Sequence, residues 1–128
     1  MTERPNVQLV RSLYEAFARR DMSVIMTHFS PSIVIDQSLE IPWGGHYEGL
    51  EGALAFFQAL TDHVTSQVTL ERLIDAGDHV VALGRTRGVV NATEAHFDVP
   101  IAHVWTLQDG RATAVRYCID NPTMLSAL

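Results

Sequence analysis

The sequence predicts an α+β fold in which three helices of the first half pack on one face of a curved antiparallel sheet. Three observations support this prediction. Apolar residues recur at helical spacing in the first half, they follow strand spacing in the second half, and turn signals separate the later runs. Helices followed by a meander of strands are typical of α+β domains. A chain of 128 residues fits one domain, and we assign residues 1–128 to it.

The first half contains three helical patterns. The first has one apolar stripe at i, i+3, i+4 and i+7 spacing: Val10, Leu13, Tyr14 and Phe17. Asp21 is a suitable N-cap for a second, short helix, which Pro31 is expected to end. A brief strand over residues 33–37 and the loop LEIPWGGHYEG lead to a third helix from Leu50. Its predicted stripe is Ala53, Leu54, Phe57, Leu60 and Val64.

The second half contains strand patterns separated by turns. VTLERLI ends at the turn signal Ala76-Gly77-Asp78, and VVALGRTRGVV ends near residues 91–94. HFDVPIAHVW continues to Asp109-Gly110, one of the strongest short hairpin signals, before TAVRYCI. Asn121-Pro122 ends the last strand, and TMLSAL is expected to be a short helix or a tail.

Composition excludes several classes of function. The net charge is −6 and no lysine is present, so a nucleic-acid surface, which needs clustered Lys and Arg, is not expected. Cys118 is the only cysteine; it permits no intrachain disulfide and, in an apolar strand, is expected to be buried. The six histidines lack the local spacing of a metal site. No apolar run suits a signal peptide or a membrane span, and we expect a cytoplasmic protein.

Charged residues in the strand runs predict a site. Arg85 and Arg87 share one strand face, as do His96 and Asp98, because side chains two residues apart point the same way. Pairing of these runs places Arg87 opposite Asp98. Since charges are costly to bury unless paired, we expect the cluster to line a cavity. Asp98 is then either a general base tuned by Arg87 or one half of a structural cross-strand ion pair.

Three stretches carry a resemblance to a known family: LYEAFARRDMSVIMTHFSPSIVID, PWGGHYEGLEGALAFFQAL and PIAHVWTLQDGRATAVRYCID. In their order and spacing they resemble the nuclear transport factor 2-like superfamily (cystatin-like fold), in particular its SnoaL-like and ketosteroid isomerase-like proteins. The resemblance implies a cone with an apolar cavity open at one end, and a homodimer formed through the outer sheet face. It also implies that fold alone does not define the reaction.

The resemblance implies positions for catalytic groups. The isomerases use a strand Asp as base, and an ungapped match places Gln37 there, whereas a shift of one residue places Asp36 there. Their oxyanion-stabilising Asp falls on Ala102, and their Tyr falls on Leu13, next to Tyr14. Steroid isomerase activity is therefore not expected. Related cyclases and hydrolases also use carboxylates, and on that basis we carry over a role for Asp98.

The strand from His96 to Leu107 presents two possible inner faces. Patterning favours its odd positions, including Ile101, His103 and Trp105, as the core side. The resemblance favours the even positions, and we follow it because their smaller side chains leave room for a cavity. Trp105 then becomes an anchor of a dimer interface.

The sequence therefore predicts a cofactor-free and metal-free pocket for a small apolar molecule. Candidate catalytic residues are Asp98, Arg87 and Asp36. Candidate ligand-binding residues are Tyr14, Phe17, Phe29, Gln37, Trp43, Tyr47, Phe57, Leu83, Arg85, Ala102, Val104 and Tyr117. Two functions fit: an acid–base enzyme of isomerase, cyclase or hydrolase type acting on an apolar carbonyl or polyketide-like compound, or a non-catalytic binding or interaction module.

Overall fold

The computed structural model describes residues 3–128 as four helices and one six-stranded sheet. The predicted α+β fold is confirmed, and the sheet curves without closing into a barrel. The helices are α1 (Pro5–Arg19), α2 (Met22–His28), α3 (Gly49–His63) and α4 (Asn121–Ala127). The strands are β1 (Phe29–Gln37), β2 (Gly45–Glu48), β3 (Val64–Ala76), β4 (His79–Val90), β5 (His96–Gln108) and β6 (Arg111–Ile119).

The sheet has the strand order β2-β1-β6-β5-β4-β3. Strands β3 to β6 form an antiparallel meander, whereas β1 pairs with β6 in parallel and with β2 in antiparallel orientation. The predicted turns are confirmed: Gly77 has a φ of 76°, and Asp109 and Gly110 have φ values of 51° and 77°. Positive φ values at both central residues match the twist of a two-residue hairpin.

The second helix begins as predicted but ends earlier. The Asp21 carboxylate accepts a hydrogen bond from the Val24 N–H at 3.3 Å and caps α2. The helix ends at His28, so the prediction that Pro31 ends it is wrong. Pro31 lies in β1, where the pairing with β6 is irregular between Phe29 and Val34. A proline is tolerated there because the irregular pairing does not require the backbone N–H that proline lacks.

The inner face of β5 is the odd one, and our assignment of the even positions to the cavity is wrong. Burial alternates strictly along the first ten residues of β5, and the odd positions face the core. The physical reason is that the odd positions carry the larger apolar side chains, whose removal from water contributes more free energy. Trp105 is 0% exposed, so it is not an anchor of an outer interface.

The charged cluster consequently lies on the outer face of the sheet. The predicted register is confirmed, since Arg87 pairs with Asp98. Arg85 Nε donates to Asp98 Oδ1 at 2.6 Å, and Arg87 Nε lies 3.2 Å from Oδ2. All three side chains are 36–59% exposed, so the expectation that they line a cavity is wrong. Water solvates them there, and burial would have had a large cost.

Other residues expected in the pocket share this outer face. Leu83 pairs with Ala102, and both are half-buried, while Val104 is 36% exposed. Cys118 pairs with Ala102 and is exposed, so the prediction that its thiol is buried is wrong. The outer face therefore has an apolar centre between Arg72, which pairs with Leu83, and Arg116, which pairs with Val104.

The core fills the space between the inner sheet face and the helices. Its largest fully buried side chains include Trp105, Phe29, Phe56 and Leu13. Leu54, predicted in the buried stripe of α3, is instead 50% exposed. No helix among residues 3–128 combines the length and apolar character needed to cross a membrane.

Candidate ligand cavity

A cavity of about 360 Å³ lies between the helices and the inner face of the sheet. Its walls are mainly apolar and aromatic. The aromatic members are Tyr14, Phe17, Trp43, Phe56, Phe57, Phe97 and Tyr117. Apolar walls with a few polar groups are typical of small-molecule sites.

Three polar side chains form a row across the cavity wall. Gln37 of β1 pairs with Tyr117 of β6, and Tyr117 pairs with His103 of β5. Residues paired across strands point to the same face, so the three side chains lie side by side. All three line the cavity and are 6–8% exposed. We call Gln37, Tyr117 and His103 the polar row.

A hydrogen-bond chain connects the polar row to helix α1. Trp105 Nε1–H donates to Tyr14 Oη at 3.0 Å, and Tyr14 Oη lies 2.5 Å from His103 Nδ1. The hydroxyl already accepts from Trp105, and we assign its hydrogen to His103 Nδ1, the other atom within reach. This assignment leaves the His103 proton on Nε2, an N–H donor on a residue that lines the cavity.

His103 is held in the neutral form. Burial lowers its pKa to about 3, because an imidazolium in this apolar position would lose the hydration of its charge. Burial likewise raises the pKa of Tyr14 and of Tyr117, so both phenols remain protonated. The site therefore offers neutral hydrogen-bond donors.

The hydroxyl of Tyr117 is buried and has no hydrogen-bond partner among residues 3–128. Its ring is stacked on Phe56, with centroids 5.1 Å apart, and stands edge-on to His103 at 4.6 Å. These neighbours fix the ring and leave the hydroxyl unsatisfied. An unsatisfied buried polar group costs about 1–3 kcal/mol, so this hydroxyl has unused capacity to bind a polar atom.

Several residues predicted from the sequence are brought together at the cavity. Its lining includes Tyr14, Phe17, Gln37, Trp43, Phe57 and Tyr117. The choice between Asp36 and Gln37 is resolved, since Gln37 faces the cavity. Asp36 lies on the opposite face and contacts His46 Nδ1 at 2.6 Å.

Two other residues that were predicted to bind the ligand support the core and a loop instead of lining the cavity. Phe29 is 1% exposed and packs between Phe57 and Trp105. Tyr47 donates a hydrogen bond to the Trp43 carbonyl at 3.1 Å and so supports the loop that carries Trp43. Neither residue is part of the cavity lining.

Sequence reasoning missed several lining residues. The prediction assigns the odd positions of β5, which include His103 and Phe97, to the outer face, and it does not include Phe56 or Thr86. All four residues line the cavity. The signal for His103 and Phe97 was present in the odd-position pattern of β5. Within residues 3–128, no group of three or more His, Cys, Asp or Glu side chains has the arrangement of a metal site.

The comparisons with known proteins define the family. The SnoaL-like domain matches residues 10–115, and the chain belongs to this family, within the nuclear transport factor 2-like superfamily. Among curated proteins, no relative matches the sequence.

Solved structures similar to this chain extend over nearly its whole length. A nuclear transport factor 2-like protein of unknown function from Burkholderia pseudomallei K96243 is 26% identical, with a TM-score of 0.91 and 98% of each chain covered. A protein described as a candidate SnoaL-like polyketide cyclase from Jannaschia sp. CCS1 is 24% identical, with a TM-score of 0.86, and the match covers 99% of this chain and 96% of that one. A candidate isomerase from Rhodopseudomonas palustris is 21% identical, with a TM-score of 0.79 and coverage of 99% and 97%. The last two matches support the fold.

The two cavity tyrosines are expected to differ in their contribution to stability. Tyr14→Phe removes the partner of both Trp105 Nε1 and His103 Nδ1, and should lower the free energy of unfolding by about 1–3 kcal/mol. Tyr117→Phe removes a hydroxyl without a partner and should leave the free energy of unfolding equal or higher. Urea denaturation of the matched pair measures both values. An equal loss in the two variants would contradict the hydrogen-bond assignment.

His103 is expected to make the protein less stable in acid. Its pKa of about 3 lies below the unfolded value of about 6.5. Between these values the unfolded chain binds a proton that the native chain does not, so stability rises with pH across this window. His103→Gln should flatten that rise, by at most about 1.4 kcal/mol per pH unit.

Ring-proton NMR shifts provide the direct check and the control. The His103 signals should stay constant from about pH 8 to about pH 5. Exposed His46 has a raised pKa, owing to its hydrogen bonds with Asp36 and Glu48. It should therefore titrate above the ordinary histidine pKa of 6.5, and its contribution to stability should be lost as pH rises through its folded pKa. A His103 signal that titrates near the ordinary histidine value would refute the buried neutral imidazole.

Proposed function

We propose that this chain, as one SnoaL-like domain, binds a small and largely apolar compound through a single carbonyl or hydroxyl oxygen. The observation that carries the proposal is the buried Tyr117 hydroxyl, which has no partner in the described chain and stands beside the neutral imidazole of His103. A ligand oxygen at the polar row satisfies the Tyr117 hydroxyl, while the aromatic walls bury the ligand body.

The electrostatics of the cavity favour a neutral oxygen that gains negative character. The lining that the structure describes contains no carboxylate, and its deep donors are a phenol and an imidazole N–H. Preorganised neutral donors in a site of low polarity polarise a carbonyl more strongly than water does, as in oxyanion holes. Binding with polarisation of a carbonyl is therefore the function that the geometry supports best.

A second candidate is an acid–base enzyme of isomerase or cyclase type, similar in fold to the candidate isomerase and cyclase relatives. The chain of hydrogen bonds from Trp105 through Tyr14 to His103 favours it, because such a chain can orient a proton donor. Full proton transfer along this chain is costly, since it leaves a phenolate at Tyr14, whose pKa is raised by burial. Gln37 lines the cavity at a position that the resemblance assigns to a carboxylate base, and Asp98 is held by two arginines on the other side of the sheet.

Binding of two aromatic probes tests the proposed contact. 2-Naphthol carries the oxygen that the polar row is expected to bind, and naphthalene presents the same ring system without it. Tyr117→Phe should weaken 2-naphthol about tenfold, the effect of losing about 1.4 kcal/mol, and leave naphthalene unchanged. Calorimetric titration gives both affinities. Equal weakening of both probes would indicate a packing defect, and unchanged 2-naphthol binding would rule out the contact.

We also propose that two copies associate through the outer sheet face. The apolar centre of this face includes half-buried Leu83 and Ala102 and the 36% exposed Val104. These side chains adjoin one another across β4 and β5. A continuous apolar patch on a sheet that would otherwise face water supports a role in association.

Light scattering tests the dimer. The wild-type protein should have the mass of two chains at micromolar concentration, and Val104→Lys should reduce it to one, because the new ammonium group would lie opposite Arg116 and bury two like charges in the interface. Val68→Lys is the matched control, since Val68 is also 36% exposed but lines the cavity. A single-chain mass for the wild type would contradict the proposed interface.

A further inference from the structure

Arg20 is the one charged residue in the described lining of the cavity. It follows α1 as the C-cap, with a φ of 58°, and its backbone N–H bonds to the carbonyl of Phe17 at 3.1 Å. Its guanidinium donates from Nη2 to the Ser66 carbonyl at 2.8 Å. Both ends of the residue are therefore held, and the guanidinium is positioned at the cavity mouth before any ligand arrives.

The positive charge of Arg20 is not paired within the described residues. No carboxylate among residues 3–128 forms an ion pair with it. The neighbouring Asp21 carboxylate accepts hydrogen bonds from Ser23 Oγ and the Val24 N–H, and so serves the start of α2. A guanidinium held in place with free donors suits an oxyanion, which it can bind through two parallel hydrogen bonds.

A surface groove extends this positive site beyond the mouth. The groove and the cavity share Arg20, Ser66, Gln67 and Phe97. Arg87 lines the groove, and its partner Asp98 already bonds Arg85. Two arginines, Arg20 and Arg87, thus line the groove with a single carboxylate, Asp98, which is already paired with Arg85 and Arg87.

We infer that the ligand of this cavity is amphipathic, with an anionic carboxylate or phosphate end at the mouth that pairs with Arg20. This inference rests on the proposed function, because the apolar body and the oxygen at the polar row occupy the cavity itself. Arg87, further along the groove, adds longer-range attraction. The deep donors are neutral and the donor at the mouth is cationic, so the two ends of the ligand are distinguished and its orientation is determined.

Three compounds with one ring system provide the probes. 6-Hydroxy-2-naphthoate has a carboxylate, its methyl ester has the same shape without the charge, and 6-hydroxynaphthalen-2-yl phosphate has a phosphate. The naphthoate should bind the wild-type protein about fivefold more tightly than its ester, as expected for a partly exposed ion pair. This advantage should shrink as salt rises from about 0.02 M to about 0.3 M. The anion with the larger advantage over the ester identifies the natural chemistry.

Arg20→Gln should abolish the advantage of the anions and leave the affinity of the ester unchanged. Arg111→Gln is the matched control, because it removes the same charge from an exposed position of β6 that lines neither the cavity nor the groove. Arg20→Gly is the second variant, since glycine suits the positive φ at this position if glutamine impairs folding.

The outcomes separate the two proposals. Loss of the anion advantage in both Arg20 variants but not in Arg111→Gln supports the anionic end. Equal affinity of anions and ester for the wild-type protein, or equal weakening by the Arg20 and Arg111 variants, would overturn the anionic end and leave the cavity proposal intact. Failure of all three compounds to bind would overturn the cavity proposal itself.

Discussion

The two-residue period of β5 is the constraint on which the rest of this structure depends. It places Val99, Ile101, His103 and Trp105 on the core side and leaves Asp98 in water. A shift of one residue would invert every assignment, burying a carboxylate and exposing an indole. The burial of Trp105 is what brings its N–H to Tyr14, and that contact joins helix α1 to the sheet.

Charge separation across the sheet follows from the same constraint. Ionised side chains such as Asp98 and Arg85 remain outside, where pairing is inexpensive, and the inner face keeps groups that are neutral at physiological pH. The cavity can therefore bind polar atoms by directed hydrogen bonds while its walls remain apolar. The described lining contains no carboxylate that could act as a buried base, but it contains neutral donors that can polarise a carbonyl.

Most of the fold could be predicted from the sequence because its signals are local. Turn residues such as Gly77 and Gly110 and the cap Asp21 act within a few residues of the chain. The site was harder to predict, because which face of a strand is buried depends on its partners. The apolar pattern of β5 indicates the correct face, whereas the resemblance to the family favours the other face. The parallel pairing of β1 with β6, which brings Gln37 beside Tyr117, joins segments far apart in the chain and has no local signal.

Burying the polar row lowers the free energy of unfolding, and this loss of stability argues that the row has a function. An apolar residue in place of Tyr117 would avoid an unsatisfied hydroxyl, and one in place of His103 would avoid burying an imidazole. Structural needs explain Tyr14, whose hydroxyl has two partners, but they do not explain Tyr117, whose hydroxyl has none in the described chain. Polar groups that are left unsatisfied beside a cavity are expected where a ligand completes their hydrogen bonds. The stability lost at Tyr117 is thus the strongest physical reason to regard the cavity as a binding site and not as a packing defect.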